Sequence, residues 1–145
     1  MAISTHKIFI DTSLFIAFID RVNLNHQKSV TIFEYMARQN YQAYTSNLVV
    51  FQTFNIIERD LGSIISFEFL KAILESNIKI LYVTEPDMLF AFRFFKSSKL
   101  PQPYLMEVIT ARLMEKQGIE LIITYDYWHN IAGTVVSNLL SEIPI

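Results

Sequence analysis

Ile8-Phe9-Ile10-Asp11 and Leu121-Ile122-Ile123-Thr124-Tyr125-Asp126 decide how this chain is read. Each opens with a short, unbroken apolar run, the pattern of a parallel strand buried on both faces. Each then delivers a carboxylate at or just beyond the strand's C-terminal end. In open α/β sheets the ligand crevice lies outside those ends, so Asp11 and Asp126 can meet there although most of the chain separates them. Two converging carboxylates repel unless a cation offsets their charge. A divalent metal site is therefore the first expectation.

Between these two runs, helix and strand signals alternate. Thr12 and Ser13 offer cap hydroxyls for a helix from about Leu14 to Ile19. After the loop Asn23-Leu24-Asn25, a helix is predicted from His26 to Arg38, with Val30, Phe33 and Ala37 at helical spacing. Ala43-Tyr44-Thr45 is a brief strand, and Ser46 or Asn47 caps a helix that runs to Leu61 and stops at Gly62. A helix from Ser66 to about Ser76 places Phe69, Ile73 and Leu74 inward, and Lys79 to Val83 reads as a strand. Pro86 suits the first turn of the next helix, which reaches about Lys96. Pro101 and Pro103 delay the following helix to about Tyr104; it runs to Lys116, with Gly118 as its stop. Thr134-Val135-Val136 is a candidate edge strand. The alternation predicts an α/β fold with a mostly parallel sheet, and residues 1–145 read as one domain without linker or repeat.

Composition narrows the function. Apolar residues make up 52% and charged residues 18%, a surplus over the usual balance of about 45–50% and 25%. It suggests apolar surface left for a partner, most simply a second copy of the chain. The net charge of −2 supplies no global field to attract nucleic acid, which would need a local patch or a metal to hold it. Cys is absent, so there are neither disulfides nor thiolate ligands. The longest apolar run, Leu14 to Ile19, is far below membrane-spanning length, and Asp11 interrupts any signal-peptide pattern. The expectation is a soluble, cytoplasmic protein.

Two more positions belong on the same rim. Glu107 stands in the first turn of the helix that feeds the Leu121 strand, and Gln52 lies a turn into the helix after Thr45. Each residue also has a plainer reading. Asp11 alone could cap the Leu14 helix, Asp126 could be a turn residue, and Glu107 suits a helix N-terminus on dipole grounds. Their combination favours a site.

In order and spacing these segments resemble the PIN domain, the nuclease module of VapC-type toxins and related RNA-processing proteins. Phe9-Ile10-Asp11-Thr12-Ser13 is similar to that family's opening motif. Tyr44-Thr45-Ser46-Asn47 through Gln52-Thr53 to Leu61-Gly62 resembles its second. Glu107 occupies the place of the third acid, and Ile123-Thr124-Tyr125-Asp126 matches the closing segment. The resemblance implies a three-layer α/β/α, PIN-like fold around a central, mostly parallel sheet. It implies a ribonuclease that hydrolyses RNA phosphodiester bonds with Mg²⁺ or Mn²⁺, with an antitoxin protein as partner if the chain is a toxin. Asp11, Glu107 and Asp126 would be the metal ligands, and Ser13 and Thr124 would orient them. Gln52 would complete the catalytic set by holding the attacking water or the substrate.

Two departures bear on that reading. The family's second motif supplies Glu where this chain has Gln52, and its third supplies Asp where this chain has Glu107. Three carboxylates balance one and a half divalent cations, which supports one metal and weakens a second. The alternative function is a PIN domain that has lost turnover and binds RNA or protein. Haloacid-dehalogenase and receiver patterns fit worse, because Ser13 and Thr84 stand where those folds place acids.

His129 reads as packing or surface, and His6 and His26 as solvated. In Leu89-Phe90-Ala91-Phe92-Arg93-Phe94-Phe95, Met88, Phe92 and Phe95 are expected to face the core. That leaves Phe90 and Phe94 exposed as the dimer or partner interface. Arg93, Lys96 and Lys99 read as a solvated face.

Overall fold

Ile8, Phe9 and Ile10 are fully removed from solvent, as the central strand of a parallel sheet must be. This strand, β1 (Lys7–Ile10), begins a computed structural model that describes residues 6–97, 104–126 and 137–138. The elements that follow are α1 (Thr12–Ile19), α2 (His26–Arg38), β2 (Gln42–Ser46), α3 (Asn47–Leu61) and α4 (Ser63–Glu75). Then come β3 (Lys79–Leu81), α5 (Glu85–Ser97), α6 (Leu105–Gln117), β4 (Leu121–Ile123) and β5 (Ser137–Asn138).

Among the described residues the sheet has five strands in the order β3-β2-β1-β4-β5, and every pairing is parallel. The chain lays β2 and β3 on one side of β1, then returns to place β4 on the other. The strand order therefore reverses between β1 and β4, which pair with Ile10 opposite Ile123. That reversal opens a crevice at the strands' carboxyl ends. The topology thus sets Asp11 and Asp126 on one edge.

Helices flank the sheet in an α/β architecture. One core joins Phe9, Ile10, Ile122 and Ile123 to Leu14, Ile32, Val49, Ile57 and Phe69 from α1 to α4. A second joins Ala91 of α5 to Val108, Ile109, Ala111 and Leu113 of α6. Local chemistry sets the helix ends. Ser46 Oγ accepts the Val49 N–H at 3.1 Å to start α3. Gly118, at φ 68°, terminates α6 in the left-handed conformation that a side chain would strain. No helix among the described residues is long and apolar enough to cross a membrane.

Several faces differ from expectation. On α2 the buried positions are Ser29, Ile32 and Met36, with Phe33 partly buried, while Ala37 is exposed. The stripe is rotated because Ser29 packs toward β4, as shown below. On α4, which begins directly after Gly62, Phe69 and Ile73 are buried but Leu74 is exposed.

The largest correction concerns α5. Phe90 and Phe94 are not an exposed interface; they pack with Phe95 against the second core. Met88 and Phe92, expected inside, are 55% and 65% exposed. The phase of α5 is set by Asp87, which is fully buried and meets Arg112 Nε at 2.7 Å and Lys116 Nζ at 3.1 Å on α6. Residues three, four and seven positions after Asp87 share its face, so Phe90, Ala91 and Phe94 turn inward with it. The Arg112 guanidinium also stacks over the Phe90 ring at 4.7 Å. The edge-strand candidate Thr134–Val136, His129 and Lys99 lie outside the described residues.

Candidate active site

Asp11 occupies the N-cap position of α1, and its backbone carbonyl accepts the Leu14 N–H at 3.3 Å. Its side chain makes no capping bond. Instead Oδ2 accepts the Thr124 hydroxyl at 2.9 Å. Register explains the encounter: Ile10 pairs with Ile123, so the next residue on each strand, Asp11 and Thr124, emerge side by side. The Asp11 N–H to Ile123 carbonyl bond at 3.1 Å extends the ladder by one step.

A directed set of hydrogen bonds surrounds this pair. A carboxylate only accepts, so the single Thr124 proton goes to Asp11. Ser13 Oγ, 3.1 Å from Thr124 Oγ1, must then donate to it, while accepting the Tyr125 N–H at 2.8 Å. The Asp126 N–H also donates to Thr124 Oγ1, at 3.0 Å. Thr124, completely buried, thus ties the backbone that carries Asp126 to the side chain of Asp11. Its own carbonyl accepts from Asn138 Nδ2 of β5 at 2.8 Å.

Asp11, Gln52, Glu107 and Asp126 all line one open cleft of about 930 Å³. Asp11 is half-buried, Glu107 is 9% exposed at the start of α6, and Gln52 and Asp126 are exposed. Thr12 Oγ1 donates to Gln52 Oε1 at 2.8 Å, joining the starts of α1 and α3.

The cleft also uses residues that sequence reading passed over. Asn23, Asn25, Tyr104 and Tyr125 line it. The Tyr125 hydroxyl lies 2.8 Å from Ser29 Oγ, which is fully buried and donates to the Asn25 carbonyl at 2.9 Å. Tyr125 is therefore the donor to Ser29, and it links the end of β4 to the Asn23–Asn25 wall. Burial raises the Tyr125 phenol above its ordinary pKa, which keeps it a neutral donor. Nothing in the sequence announced this link, because its partners belong to distant segments. His26 differs from its solvated reading too: its ring Nδ1 lies 2.9 Å from the Ala17 carbonyl, to which it can only donate.

The donors on the rim are carboxylate and amide oxygens, the hard ligands that suit Mg²⁺ or Mn²⁺. In kind they fit such an ion. Among the described residues, no three His, Asp or Glu side chains are gathered closely enough to hold one. The three acids line one cleft, and a cation would have to draw them together.

The sequence profile of the PIN domain family matches residues 8–130. The chain belongs to the PIN domain family. Solved structures carry the same fold. VapC20 of Mycobacterium tuberculosis, described as a sarcin-ricin-loop-cleaving toxin, aligns with TM-score 0.72 at 20% identity, over 82% of this chain and 89% of that one. VapBC2 of Rickettsia felis, bound to a promoter DNA fragment, aligns with TM-score 0.63 at 12% identity, over 91% and 98%. DNA-bound VapBC of Salmonella typhimurium gives 0.63 at 13% identity, over 92% and 98%. A comparison with curated proteins found no match. At these identities the likeness is one of fold.

Proposed function

We propose that this PIN domain is a divalent-metal-dependent ribonuclease that hydrolyses RNA phosphodiester bonds, and that it acts as the toxin of a toxin–antitoxin pair. The observation that carries the reading is the Asp11 side chain. It declines the helix cap it is placed to make and is held by Thr124 in the cleft shared with Glu107, Asp126 and Gln52. The fold likeness to a VapC toxin and to VapBC assemblies supports a toxin with an antitoxin partner. The apolar surplus supports a homodimer, and the absence of a spanning helix among the described residues is compatible with a cytoplasmic site of action.

Asp11, Glu107 and Asp126 would hold Mg²⁺ or Mn²⁺. When bound, the ion would acidify the attacking water and offset charge on the phosphate. Thr124 and Ser13 keep the Asp11 carboxylate turned into the cleft, as partners of a ligand do. Glu107, nearly buried at the N-terminus of α6, is held on a rigid element. A second reading, a PIN domain that binds RNA without turnover, is favoured by neutral Gln52 and by the spread of the three acids.

The test is RNA cleavage by the purified chain with Mn²⁺, alongside thermal melting with and without the ion. Cleavage and a raised melting temperature in wild type, both lost in Asp11→Asn, are expected. RNA binding with no cleavage at any Mn²⁺ concentration would select the second reading. Equal melting shifts in both proteins would put the cation elsewhere.

A further inference from the structure

The Thr12–Gln52 bond decides which edge of the amide meets a ligand. Thr12 is 7% exposed and Gln52 is exposed, and both line the cleft. An amide is planar, with its oxygen on one edge and its NH₂ on the other. Here Oε1 is turned to the buried Thr12 hydroxyl. The NH₂ edge lies opposite that bond, on a side chain that lines the cleft, and it donates to no group among the described residues.

Four hydroxyls that could donate nearby are already engaged. The Thr12 hydroxyl is bound to Gln52, those of Ser13 and Thr124 run toward Asp11, and that of Tyr125 goes to Ser29. Among the described residues no Lys or Arg lines the cleft. An anionic substrate entering beside three carboxylates therefore finds its side-chain donors in Gln52 and in Asn23, Asn25 and Tyr104, which line the same cleft.

We propose that Gln52 is a substrate contact and not a metal ligand: its NH₂ donates to an anionic, non-bridging oxygen of an RNA phosphodiester. The inference rests on the ribonuclease reading and changes what position 52 does within it. A carboxylate at this position could only accept, and it would repel the phosphate while attracting a cation. The amide reverses both preferences. Thr12 holds the amide in place beforehand, so little ordering remains to oppose binding. The missing negative charge is then a change of role at position 52.

The test separates RNA affinity from metal affinity in the full chain. A short fluorescein-labelled single-stranded RNA is titrated in EDTA, and Mn²⁺ is titrated separately by calorimetry. Gln52→Glu should weaken RNA binding by about 10-fold or more, the range of a lost hydrogen bond to a charged group. Gln52→Ala should weaken it less, because it removes the donor without adding charge. Thr12→Val, which frees the amide to rotate, should fall between wild type and Gln52→Ala. Mn²⁺ affinity should stay unchanged in Gln52→Ala and rise in Gln52→Glu. Position 52 is exposed, so melting curves should show both Gln52 variants folded. Equal RNA affinity in wild type and Gln52→Glu overturns the inference and leaves the ribonuclease reading standing. So does a loss of Mn²⁺ affinity in Gln52→Ala. Failure of wild type to bind RNA in EDTA overturns the inference alone; failure to bind or cleave RNA with Mn²⁺ as well overturns both.

Discussion

Thr124 Oγ1 donates to Asp11 Oδ2 at 2.9 Å, so the residue that follows one central strand orients the acid that follows its neighbour. The same oxygen accepts from Ser13 and from the Asp126 backbone. Thr124→Val keeps the shape and removes all three bonds. It should cost about 1–3 kcal/mol of stability, because the polar partners lose a buried acceptor or donor. Mn²⁺ affinity should fall about 10- to 100-fold, the usual consequence of losing a ligand's hydrogen-bond partner. Isothermal titration measures the second effect; unchanged affinity would mean that Asp11 holds its orientation without Thr124.

Asp87 should control acid stability. Burial alone would raise its carboxyl, but the Thr84 N–H and hydroxyl, Arg112 and Lys116 together hold it well below the usual carboxylate range. Because the folded-state pKa is depressed, the stabilisation is complete above the unfolded value of about 4 and is lost as pH falls further. Asp87→Asn should lower stability at pH 7 by about 2–3 kcal/mol, since it leaves Arg112 and Lys116 without their carboxylate. Urea titrations at several pH values should show the difference between the two proteins shrinking below about pH 4. A difference that stays constant down that limb would contradict the assignment.

Tyr125→Phe removes one hydroxyl and keeps the ring. Ser29 Oγ still donates to Asn25, so the loss should be modest, about 1 kcal/mol. Its effect should be regional: amide hydrogen exchange at residues 23–26 should quicken, while exchange in β1 should not. Uniformly faster exchange would show a global loss of stability and no specific link from β4 to that wall.

The phase of α5 separates two aromatic positions. Phe90→Glu should unfold or strongly destabilise the chain, because Phe90 packs on the second core under Arg112. Phe92→Glu should leave the melting temperature nearly unchanged, since that side chain is 65% exposed. The opposite ranking would restore the orientation expected from hydropathy alone.

The error on α5 shows where sequence reading stops. Hydropathy counts aromatic side chains, and this helix carries them around most of its circumference, so its periodicity left two orientations open. The deciding residue is Asp87, a charge that a hydropathy pattern places outside. Asp87 stands three residues after Thr84 in a capping pattern, Thr84-Glu85-Pro86-Asp87, that could have marked the helix start. Its ion partners Arg112 and Lys116 could not have been read there, because they lie on another helix. On α2 the error has the same form: Ser29, a polar residue, takes the inward position because Tyr125 supplies its partner.

By itself the sequence determined whatever depends on neighbours along the chain. Apolar runs marked β1 and β4, alternating signals marked the α/β class, and Ser46, Gly62 and Gly118 marked helix ends through bonds and dihedrals within a turn. Motif order singled out Asp11, Gln52, Glu107 and Asp126 through a family resemblance. Only the tertiary structure decided that β1 lies beside β4, that Asp11 turns to Thr124 instead of capping α1, and that the Gln52 oxygen is taken by Thr12. Those outcomes depend on the direction of side chains from segments far apart in sequence. A hydrogen bond requires its two atoms within about 3 Å, and only strand order and register bring such atoms together.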